Sequence, residues 1–470
     1  MRSRIALLAF VLAAGLPAAV CAAGALPGAG PASPAPAASR SPWLLVSDVH
    51  FDPFGDPALA GALARTPASG WPAIFARSTA GPSPYFADTN AALLASSLAA
   101  MRARAPSPAV VIVAGDFLAH EFPQRFAAAV PGASNAAYEA FVDKTIAFIA
   151  LEFGTAFPHA QFVVTLGNND GYCGDYAATP GSPFLAHFAD AFAPLVERDG
   201  RAPGFARDFA RAGYYTAELP GEPGGEIVAL DSVYWSAKYD NACGSPGSDP
   251  GAAELQWLAA RVAARPAPAY RWFLTHIPPV PDQYSSLRAG RPVPFLQAAA
   301  AQRLLALTAT ARPAAFVFGH VHHASFEIVG PGDGSGVPGL VVPSISPVQG
   351  NDPAFIVADV SPGGILTDFT TYVLPLEEPG APWTFEYDFD GAYGAAAFET
   401  RDLVTLQARL AAEPALWQRY ARYYNSGSTT AAIAPGTWPW YWCGDVELDA
   451  AAYGACVGNL LPAQPAAPKR

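Results

Sequence analysis

The stretch Trp43-Leu-Leu-Val-Ser-Asp-Val-His50 places two potential metal ligands directly after a short apolar run. Similar blocks recur four times further along the chain, at Gly115-Asp116, Gly167-Asn168, Thr275-His276 and Gly319-His320-Val-His322. One Asp-x-His or Gly-Asp pair is common by chance, whereas five such blocks in matching contexts are not. The blocks predict one site at which seven side chains meet: Asp48, His50, Asp116, Asn168, His276, His320 and His322.

The apolar runs before the blocks have the length and composition of buried strands. They cover Trp43–Ser47, Val110–Ala114, Phe162–Leu166, Arg271–Leu274 and Ala315–Phe318. Helical patterns alternate with strand patterns, at Asn90–Arg104, Ala136–Phe153, Ala252–Arg265 and Phe295–Ala311. This alternation indicates an α/β core. Because such sheets bind ligands beyond the carboxyl ends of their strands, five distant loops can converge on one site.

After His323 the pattern changes to β-like runs at Gly339–Pro343, Ala354–Val360 and Ile365–Leu374. We expect these runs to form a second sheet packed against the first. The segment Phe398–Tyr424 then predicts one or more helices with an aromatic stripe. A helical cap whose stripe faces the core is the favoured interpretation, ahead of a ligand platform.

The residue types of the five blocks indicate which ions they would bind. Two divalent ions about 3.5–4 Å apart need one bridging carboxylate. Imidazole, carboxylate and amide ligands suit zinc, iron or manganese, whereas calcium and magnesium prefer oxygen ligands. We therefore expect two divalent metal ions, with zinc favoured and iron or manganese as alternatives.

The composition limits the possible partners. The chain has 470 residues, of which 51 % are hydrophobic and 14 % charged, so it should form a packed globular body. Its net charge of −12 argues against a nucleic-acid duplex or an anionic membrane as a partner. A small phosphate-containing substrate is compatible with this charge, because bound metals supply local positive charge. We expect a monomer.

The N-terminus has the layout of a secretory signal peptide over residues 1–22. Arg2 and Arg4 precede an apolar stretch, and small residues follow around Cys21. Lipidation of Cys21 is the alternative, but Val20 occupies a position where a small residue is expected. Residues 23–42 read as a Pro/Ala/Gly-rich linker. The mature protein is thus expected to be secreted or periplasmic, without stable membrane anchoring.

Four cysteines remain after the signal peptide, an even number that favours two disulfides in an exported chain. Three connectivities are possible. We favour a short terminal loop, Cys443–Cys456, and a bond Cys173–Cys243 that would join two loops near the site. Unpaired buried thiols are the alternative.

Further motifs accompany the blocks, among them Gly115-Asp116-Phe-Leu-Ala-His120, His276-Ile-Pro-Pro279, Glu254-Leu-Gln-Trp-Leu258 and Pro343-Ser-Ile-Ser-Pro-Val-Gln-Gly-Asn-Asp-Pro353. With them the chain resembles the calcineurin-like metallophosphoesterases, and within these the acid sphingomyelinase-like phosphodiesterases. The resemblance implies a four-layer α/β fold with a two-sheet β-sandwich core flanked by helices, over residues 43–390. It also implies a C-terminal helical, disulfide-bearing subdomain at 391–460, before a disordered tail at 461–470.

The resemblance also assigns roles to the seven side chains. It implies that Asp48, His50 and His322 hold one metal, that Asn168, His276 and His320 hold the other, and that Asp116 bridges both. A water activated by the metals would attack phosphorus in line with the leaving group.

The chain departs from the family pattern at Asn169, where relatives commonly have a histidine that can protonate the leaving group. Asparagine cannot serve as a general acid, which favours phosphoanhydrides or activated esters. His120 is the candidate for that catalytic role; orientation of Asp116 is the alternative. Residues expected around the metals or the substrate are Asn169, Asp170, His323 and Asn351, with Tyr172 and Asp175 at the pocket edge. His159 and His187 match no motif and read as surface or core histidines.

Three functions follow from this interpretation. The first is hydrolysis of phosphodiester or phosphoanhydride bonds in small soluble substrates, such as nucleotides, head-group conjugates or polyphosphate. The second is a phospholipase C-type sphingomyelin phosphodiesterase. It is disfavoured because lipid-active relatives carry a saposin-like domain and the sequence shows no six-cysteine pattern for one. The third, a catalytically inactive binding protein, is disfavoured because all seven ligand-type residues are present.

Overall fold

The computed structural model describes residues 42–221, 224–241, 243–244, 248–330, 336–430 and 433–461. The predicted signal peptide, all of the linker except Pro42, and the predicted tail beyond Leu461 lie outside the described residues. The boundary at residue 390 stays a prediction.

The first of two six-stranded sheets carries three of the five ligand blocks. Its strands are β1 Trp43–Val46, β2 Val110–Val113, β3 Gln161–Val164, β10 Ala354–Val360, β11 Leu366–Val373 and β12 Thr384–Asp388. They lie in the order β12-β11-β10-β1-β2-β3, with β1, β2 and β3 parallel. Asp48, Asp116 and Asn168 therefore follow neighbouring strands at one edge of the sheet.

The second sheet carries the other two blocks. Its strands are β4 Tyr215–Leu219, β5 Gly225–Ala229, β6 Arg271–Leu274, β7 Ala315–Phe318, β8 Ser325–Val329 and β9 Val337–Val341. They lie in the order β4-β5-β6-β7-β9-β8, and β5, β6, β7 and β9 are parallel. His276 follows β6, and His320 follows β7.

The two sheets pack face to face. The rings of Trp43 and Trp272, one from each sheet, have centroids 4.9 Å apart. The Tyr215 hydroxyl accepts from the Val164 amide at 2.9 Å and lies 3.1 Å from the Val164 carbonyl, to which it donates. The predicted two-sheet α/β core is confirmed.

The expectation that the β-like runs after His323 form the second sheet on their own is wrong. Ala354–Val360 pairs antiparallel with β1, and Leu366–Val373 pairs with Ala354–Val360, so both belong to the first sheet. Only Val337–Val341 joins the sheet of β6 and β7. Without β10, the backbone groups along one edge of β1 would lack ladder partners. The first sheet consequently combines strands from early and late parts of the chain, whereas the second sheet consists of the consecutive strands β4 to β9.

Helices cover the outer faces of both sheets. The described helices are α1 Ala60–Arg65, α2 Trp71–Phe75, α3 Ala91–Arg104, α4 Phe122–Ala129, α5 Asn135–Ala156, α6 Pro183–Val196, α7 Phe205–Ala212, α8 Pro250–Ala263, α9 Gln283–Ala289, α10 Ala298–Ala311, α11 Phe389–Tyr393, α12 Thr400–Ala412, α13 Pro414–Tyr424, α14 Trp438–Val446 and α15 Ala450–Leu460. Phe153 of α5 packs against Phe162 of β3, with ring centroids 6.2 Å apart. Leu258 of α8 and Leu304 of α10 share a buried cluster with Phe316 of β7. These contacts produce the predicted four layers.

The C-terminal helices pack on β8, as the cap interpretation predicts. The ring of Phe326 lies 6.0 Å from that of Tyr420 and 5.9 Å from that of Trp442. Asp445 accepts from Ser325 at 2.6 Å and from Gln283 at 3.0 Å. Tyr420 is thus part of the core, whereas Tyr424 on the same helix also borders a cavity described below.

The two favoured disulfides, Cys173–Cys243 and Cys443–Cys456, are both present. They close loops with sequence separations of 70 and 13 residues. Loop-closure entropy then predicts losses of about 4 kcal/mol for Cys173→Ser with Cys243→Ser and about 3 kcal/mol for Cys443→Ser with Cys456→Ser. Denaturant unfolding of the oxidised protein measures both losses, and wild type under reducing conditions is the control. Equal stability of the oxidised and reduced wild type would contradict this prediction.

Candidate metal centre

The loops that carry the site turn sharply where each strand ends. Asp48, His50, Asp116, His320 and His322 have φ values of 48°, 40°, 55°, 70° and 67°. Positive φ is uncommon for residues other than glycine, and it clusters at functional sites. Close packing at the turns also explains two glycines: a Cβ at Gly167 would lie 2.1 Å from Asp116 Oδ1, and one at Gly319 would lie 2.0 Å from Ser47 Oγ. The strained turns therefore bring the polar side chains together.

One half of the cluster consists of Asp48, His50, Asp116 and His322, all of them buried. His50 Nε2 lies 3.7 Å from Asp48 Oδ1, 3.3 Å from Asp116 Oδ2 and 3.2 Å from His322 Nε2. His322 Nε2 lies 3.5 Å from Asp48 Oδ1. Four potential ligand atoms thus surround one point.

The other half consists of Asp116, His276 and His320, with Asn168 bordering the same cavity. His276 Nε2 lies 3.2 Å from Asp116 Oδ2, the carboxylate oxygen that also faces His50. The Asn168 amide donates from Nδ2 to Asp175 Oδ1 at 2.6 Å. Its Oδ1 is buried and has no hydrogen-bond partner among the described residues, which leaves this oxygen available as a ligand.

Backbone carbonyls fix the orientation of two imidazoles. Nδ1 of His50 lies 3.0 Å from the Leu118 carbonyl oxygen, and Nδ1 of His276 lies 2.7 Å from that of Ala114. Since a carbonyl only accepts hydrogen bonds, Nδ1 must carry the proton. This arrangement is the usual support of a metal-binding histidine, because it directs the lone pair of Nε2 into the site.

The electrostatics of the cluster suit bound cations. Burial lowers the pKa of His50 and His276, but the Asp116 carboxylate and its neighbours outweigh it and raise these pKa values to about 10 and about 9. Burial is the main cause that lowers the pKa of His320 and His322 well below the usual value, and neighbouring positive charges add to it. Two carboxylates therefore face four imidazoles. Two of these imidazoles favour the protonated form and the other two favour the neutral form. The donor set and the orphaned Asn168 oxygen fit divalent metal ions.

Asn169 and Asp170 both support Asp116. The Asn169 backbone amide donates to Asp116 Oδ1 at 2.8 Å, and its side-chain Nδ2 donates to Asp116 Oδ2 at 3.0 Å. Asp170 accepts from the amides of Phe117, Leu118 and Gly167 at 2.8, 3.1 and 2.8 Å. Burial and then the charge of Asp116 raise the pKa of Asp170 to about 7. These two residues hold the central carboxylate and its loop in place.

His120 lies beside the first half of the cluster. Its ring stacks on that of His50 with centroids 4.1 Å apart, and the side chain is 31 % exposed. Nδ1 bonds Asp88 Oδ1 at 2.9 Å, so the orienting partner is Asp88 and not Asp116. Asp88 also accepts from Arg125 at 3.0 Å. A ring nitrogen of His120 lies within 4.8 Å of ring nitrogens of His50 and His322, and the residue borders the cavity of the site.

The other predicted residues have varied surroundings. His323 is half-buried with its ring 4.7 Å from that of Tyr424, and desolvation lowers its pKa to about 4. Asn351 donates to the carbonyls of Ser346 and Asp352, both at 3.1 Å, and so braces a loop behind the site.

The unassigned histidines and the pocket-edge tyrosine lie outside the metal cluster. His187 and Tyr172 form a hydrogen-bonded group with Asp143. His159 is exposed, which agrees with its interpretation as a surface histidine.

A cavity of about 490 Å³ opens onto the cluster. Its wall includes Gln349 and Tyr424, from two segments that the sequence singled out, and several residues that the sequence motifs did not indicate: Tyr176, Lys238, Asp282, Gln283, Tyr284, Phe295, Asn425 and Tyr441. A second cavity of about 970 Å³ shares His120 and Asp175 with it. Asp88, the partner of His120, was also missed, because no local motif marks a carboxylate that acts through another side chain.

A two-sheet sandwich with a buried histidine and carboxylate cluster at its strand ends defines a metal-dependent phosphoester hydrolase. Residues 42–324 match the family described as calcineurin-like phosphoesterase, and the chain belongs to this family. Divalent metals belong to the chemistry of the family.

The chain is also similar to named relatives. It is 25 % identical to the human acid sphingomyelinase-like phosphodiesterase 3b over 79 % of this chain and 81 % of the relative. The mouse protein of the same name is 26 % identical, covering 82 % of each chain. The Dictyostelium discoideum sphingomyelinase phosphodiesterase D is 24 % identical over 73 % of this chain and 75 % of the relative. The predicted resemblance is confirmed. Among the described residues, no helix has the length and apolar character needed to cross a membrane.

Proposed function

We propose that this protein is an exported dinuclear-metal phosphoesterase that hydrolyses phosphodiester or phosphoanhydride bonds in small soluble substrates. The support for two metals is the shared carboxylate: Asp116 Oδ2 lies 3.3 Å from His50 Nε2 and 3.2 Å from His276 Nε2. In this proposal Asp48, His50 and His322 hold one ion and Asn168, His276 and His320 hold the other, with Asp116 common to both. Nitrogen and oxygen ligands without thiolates favour zinc, with iron or manganese as alternatives.

Bound metals would supply positive charge for the phosphate and lower the pKa of a water molecule. The protein itself positions the metal ligands. Asn169 and Asp170 hold Asp116 and its loop, and the carbonyls of Ala114 and Leu118 fix two imidazoles. These contacts preorganise the site before the substrate enters.

The observation that carries the choice of substrate is the position of Asn169. Its side chain donates to Asp116 Oδ2 at 3.0 Å, and an amide has no proton to transfer to a leaving group at neutral pH. Leaving groups that are stable as anions, such as a phosphate or a phenolate, need little protonation, whereas an alkoxide needs it. We propose that His120, oriented by Asp88, provides what proton donation the reaction requires.

Export is supported by the two disulfides, which persist in oxidising compartments. The relatives named for sphingomyelinase make lipid hydrolysis the second candidate function. Sphingomyelin therefore belongs among the substrates tested.

Asn169→His tests the leaving-group argument. We expect wild type, loaded with metal, to hydrolyse bis(p-nitrophenyl) phosphate and ATP faster than alkyl phosphodiesters or sphingomyelin. Because a histidine at this position adds a proton donor, the ratio of kcat/KM for an alkyl diester to that for bis(p-nitrophenyl) phosphate should rise about 10- to 100-fold.

Asn169→Ala is the matched control, since it removes the same hydrogen bond to Asp116 without adding a donor. An unchanged ratio in Asn169→His would refute the leaving-group argument. Faster hydrolysis of sphingomyelin than of any soluble substrate would establish the second function instead. The absence of hydrolysis of every substrate by metal-loaded wild type would contradict the proposed function itself.

A further inference from the structure

We infer that Lys238 binds a second phosphate of the substrate, next to the one that is attacked, and so selects phosphoanhydrides. This inference rests on the proposed function. It starts from composition: the chain has only three lysines, Lys144, Lys238 and Lys469, and one of them borders the cavity of the metal centre. Among the described residues that line this cavity, Lys238 is the only lysine or arginine.

The loop of Lys238 is fastened to both sides of that cavity. The Ala237 amide donates to the Phe295 carbonyl at 2.8 Å, and the Asp240 amide donates to the Tyr176 carbonyl at 2.9 Å. The Cys173–Cys243 disulfide then ties this part of the chain to the loop that follows Asn168. The backbone under Lys238 is thus fixed relative to the metal ligands.

The side chain of Lys238 is directed toward the site. Its Nζ lies 5.2 Å from the centre of the Tyr176 ring, and the hydroxyl of that tyrosine is 3.4 Å from His320 Nε2. An ammonium group over an aromatic face gains a modest attraction that stabilises this direction. Tyr176 therefore contacts both Lys238, through its ring, and the proposed metal ligand His320, through its hydroxyl.

The acidic residues of the cavity wall bond to other partners, although Asp175 is near enough for the charge of Lys238 to lower its pKa in part. Asp175 accepts from Asn168 at 2.6 Å, and Asp282 accepts from the amide and hydroxyl of Ser285 at 2.8 and 2.6 Å. Within the described part of the chain, Lys238 forms no ion pair. An unpaired ammonium beside a phosphate site can accept a further anionic oxygen, with charge-assisted hydrogen bonds.

The position of Asn169 indicates the same substrate class independently. In a phosphoanhydride, water forms a new bond to the attacked phosphorus, the bond from that phosphorus to the bridging oxygen breaks, and the bridging oxygen leaves with its electrons on the second phosphate. One proton from water passes to solvent. The second phosphate is then both the leaving group that needs little protonation and the anion for Lys238.

The test compares ADP with bis(p-nitrophenyl) phosphate, which has no second phosphate, in the full metal-loaded chain. For Lys238→Ala we expect the kcat/KM ratio of ADP to bis(p-nitrophenyl) phosphate to fall about 10- to 100-fold, as expected for the loss of a charged hydrogen bond. Lys238→Arg should restore most of the ratio. Arg303→Gln, which removes an exposed positive charge on α10, is the control for net charge.

Calorimetry provides a readout without turnover. Methylenediphosphonate should bind wild type more tightly than methylphosphonate, and Lys238→Ala should remove most of that difference. A ratio that stays within threefold of wild type, together with an unchanged binding difference, would overturn the inference. If neither substrate is hydrolysed, the proposed function fails, while the calorimetric comparison still decides the role of Lys238.

Discussion

Replacement of Asp116 by asparagine is expected to lower kcat for bis(p-nitrophenyl) phosphate by about a thousandfold or more. Oδ2 of Asp116 faces His50 and His276 at 3.3 and 3.2 Å, while Asn169 donates to both carboxylate oxygens. An amide at this place would direct its NH2 group either at the imidazoles or at a donor of Asn169. It would also remove the negative charge between the two proposed ions. The chemistry and the binding of at least one metal should be lost together.

Initial rates and metal content per chain measure this effect. Asp359→Asn, on the exposed side of β10, is the matched control for the loss of one carboxylate. Burial raises the pKa of Asp116, but the charges of His276 and His50 outweigh it and hold this pKa well below its usual value. The ionised carboxylate therefore stabilises the metal-free protein at neutral pH, so the metal-free variant should melt at a lower temperature than metal-free wild type. If the variant keeps its full metal content and hydrolyses the substrate at wild-type rates, Asp116 is not a ligand of the metal centre.

The sequence predicted the strands that lead into the site better than the strands that do not. Arg271–Leu274 and Ala315–Phe318 have the predicted bounds, because buried central strands are short, apolar and end at a polar ligand. Tyr215–Leu219 and Thr384–Asp388 are edge strands that no sequence pattern indicated. Edge strands have one partner and mixed exposure, so their apolar signal is weak.

The metal ligands were likewise easier to predict from the sequence than the residues around them. Seven ligand-type residues could be recognised because each follows a strand in a short motif. The pairing of Asp88 with His120 joins residues 32 positions apart, and Lys238 reaches the cavity through a loop with no motif. Such contacts depend on tertiary packing, which one sequence does not reveal. The assignment of strands to sheets failed for the same reason, since pairing of β10 with β1 is a long-range choice.

His120→Gln is expected to lower kcat for an alkyl phosphodiester by about 10²- to 10³-fold and kcat for bis(p-nitrophenyl) phosphate by less than about tenfold. The reason is that Asp88 holds Nδ1 at 2.9 Å, which leaves the other nitrogen to donate a proton toward the cavity. A p-nitrophenolate leaves without that proton, whereas an alkoxide does not. Rates with a series of leaving groups of increasing basicity should therefore fall more steeply in the variant than in wild type.

The structure also places His120 where it could bind a metal ion, because ligand-type atoms of His50, His120 and His322 lie within 4.8 Å of one another. If His120→Gln slows every substrate by the same factor and loses metal, His120 holds an ion and the proposed donor role is wrong. Asp88→Asn should reproduce the leaving-group dependence more weakly, since it weakens the orientation of His120 without removing the imidazole. His159→Gln, at an exposed histidine, is the matched control and should leave both the rates and the metal content at wild-type values.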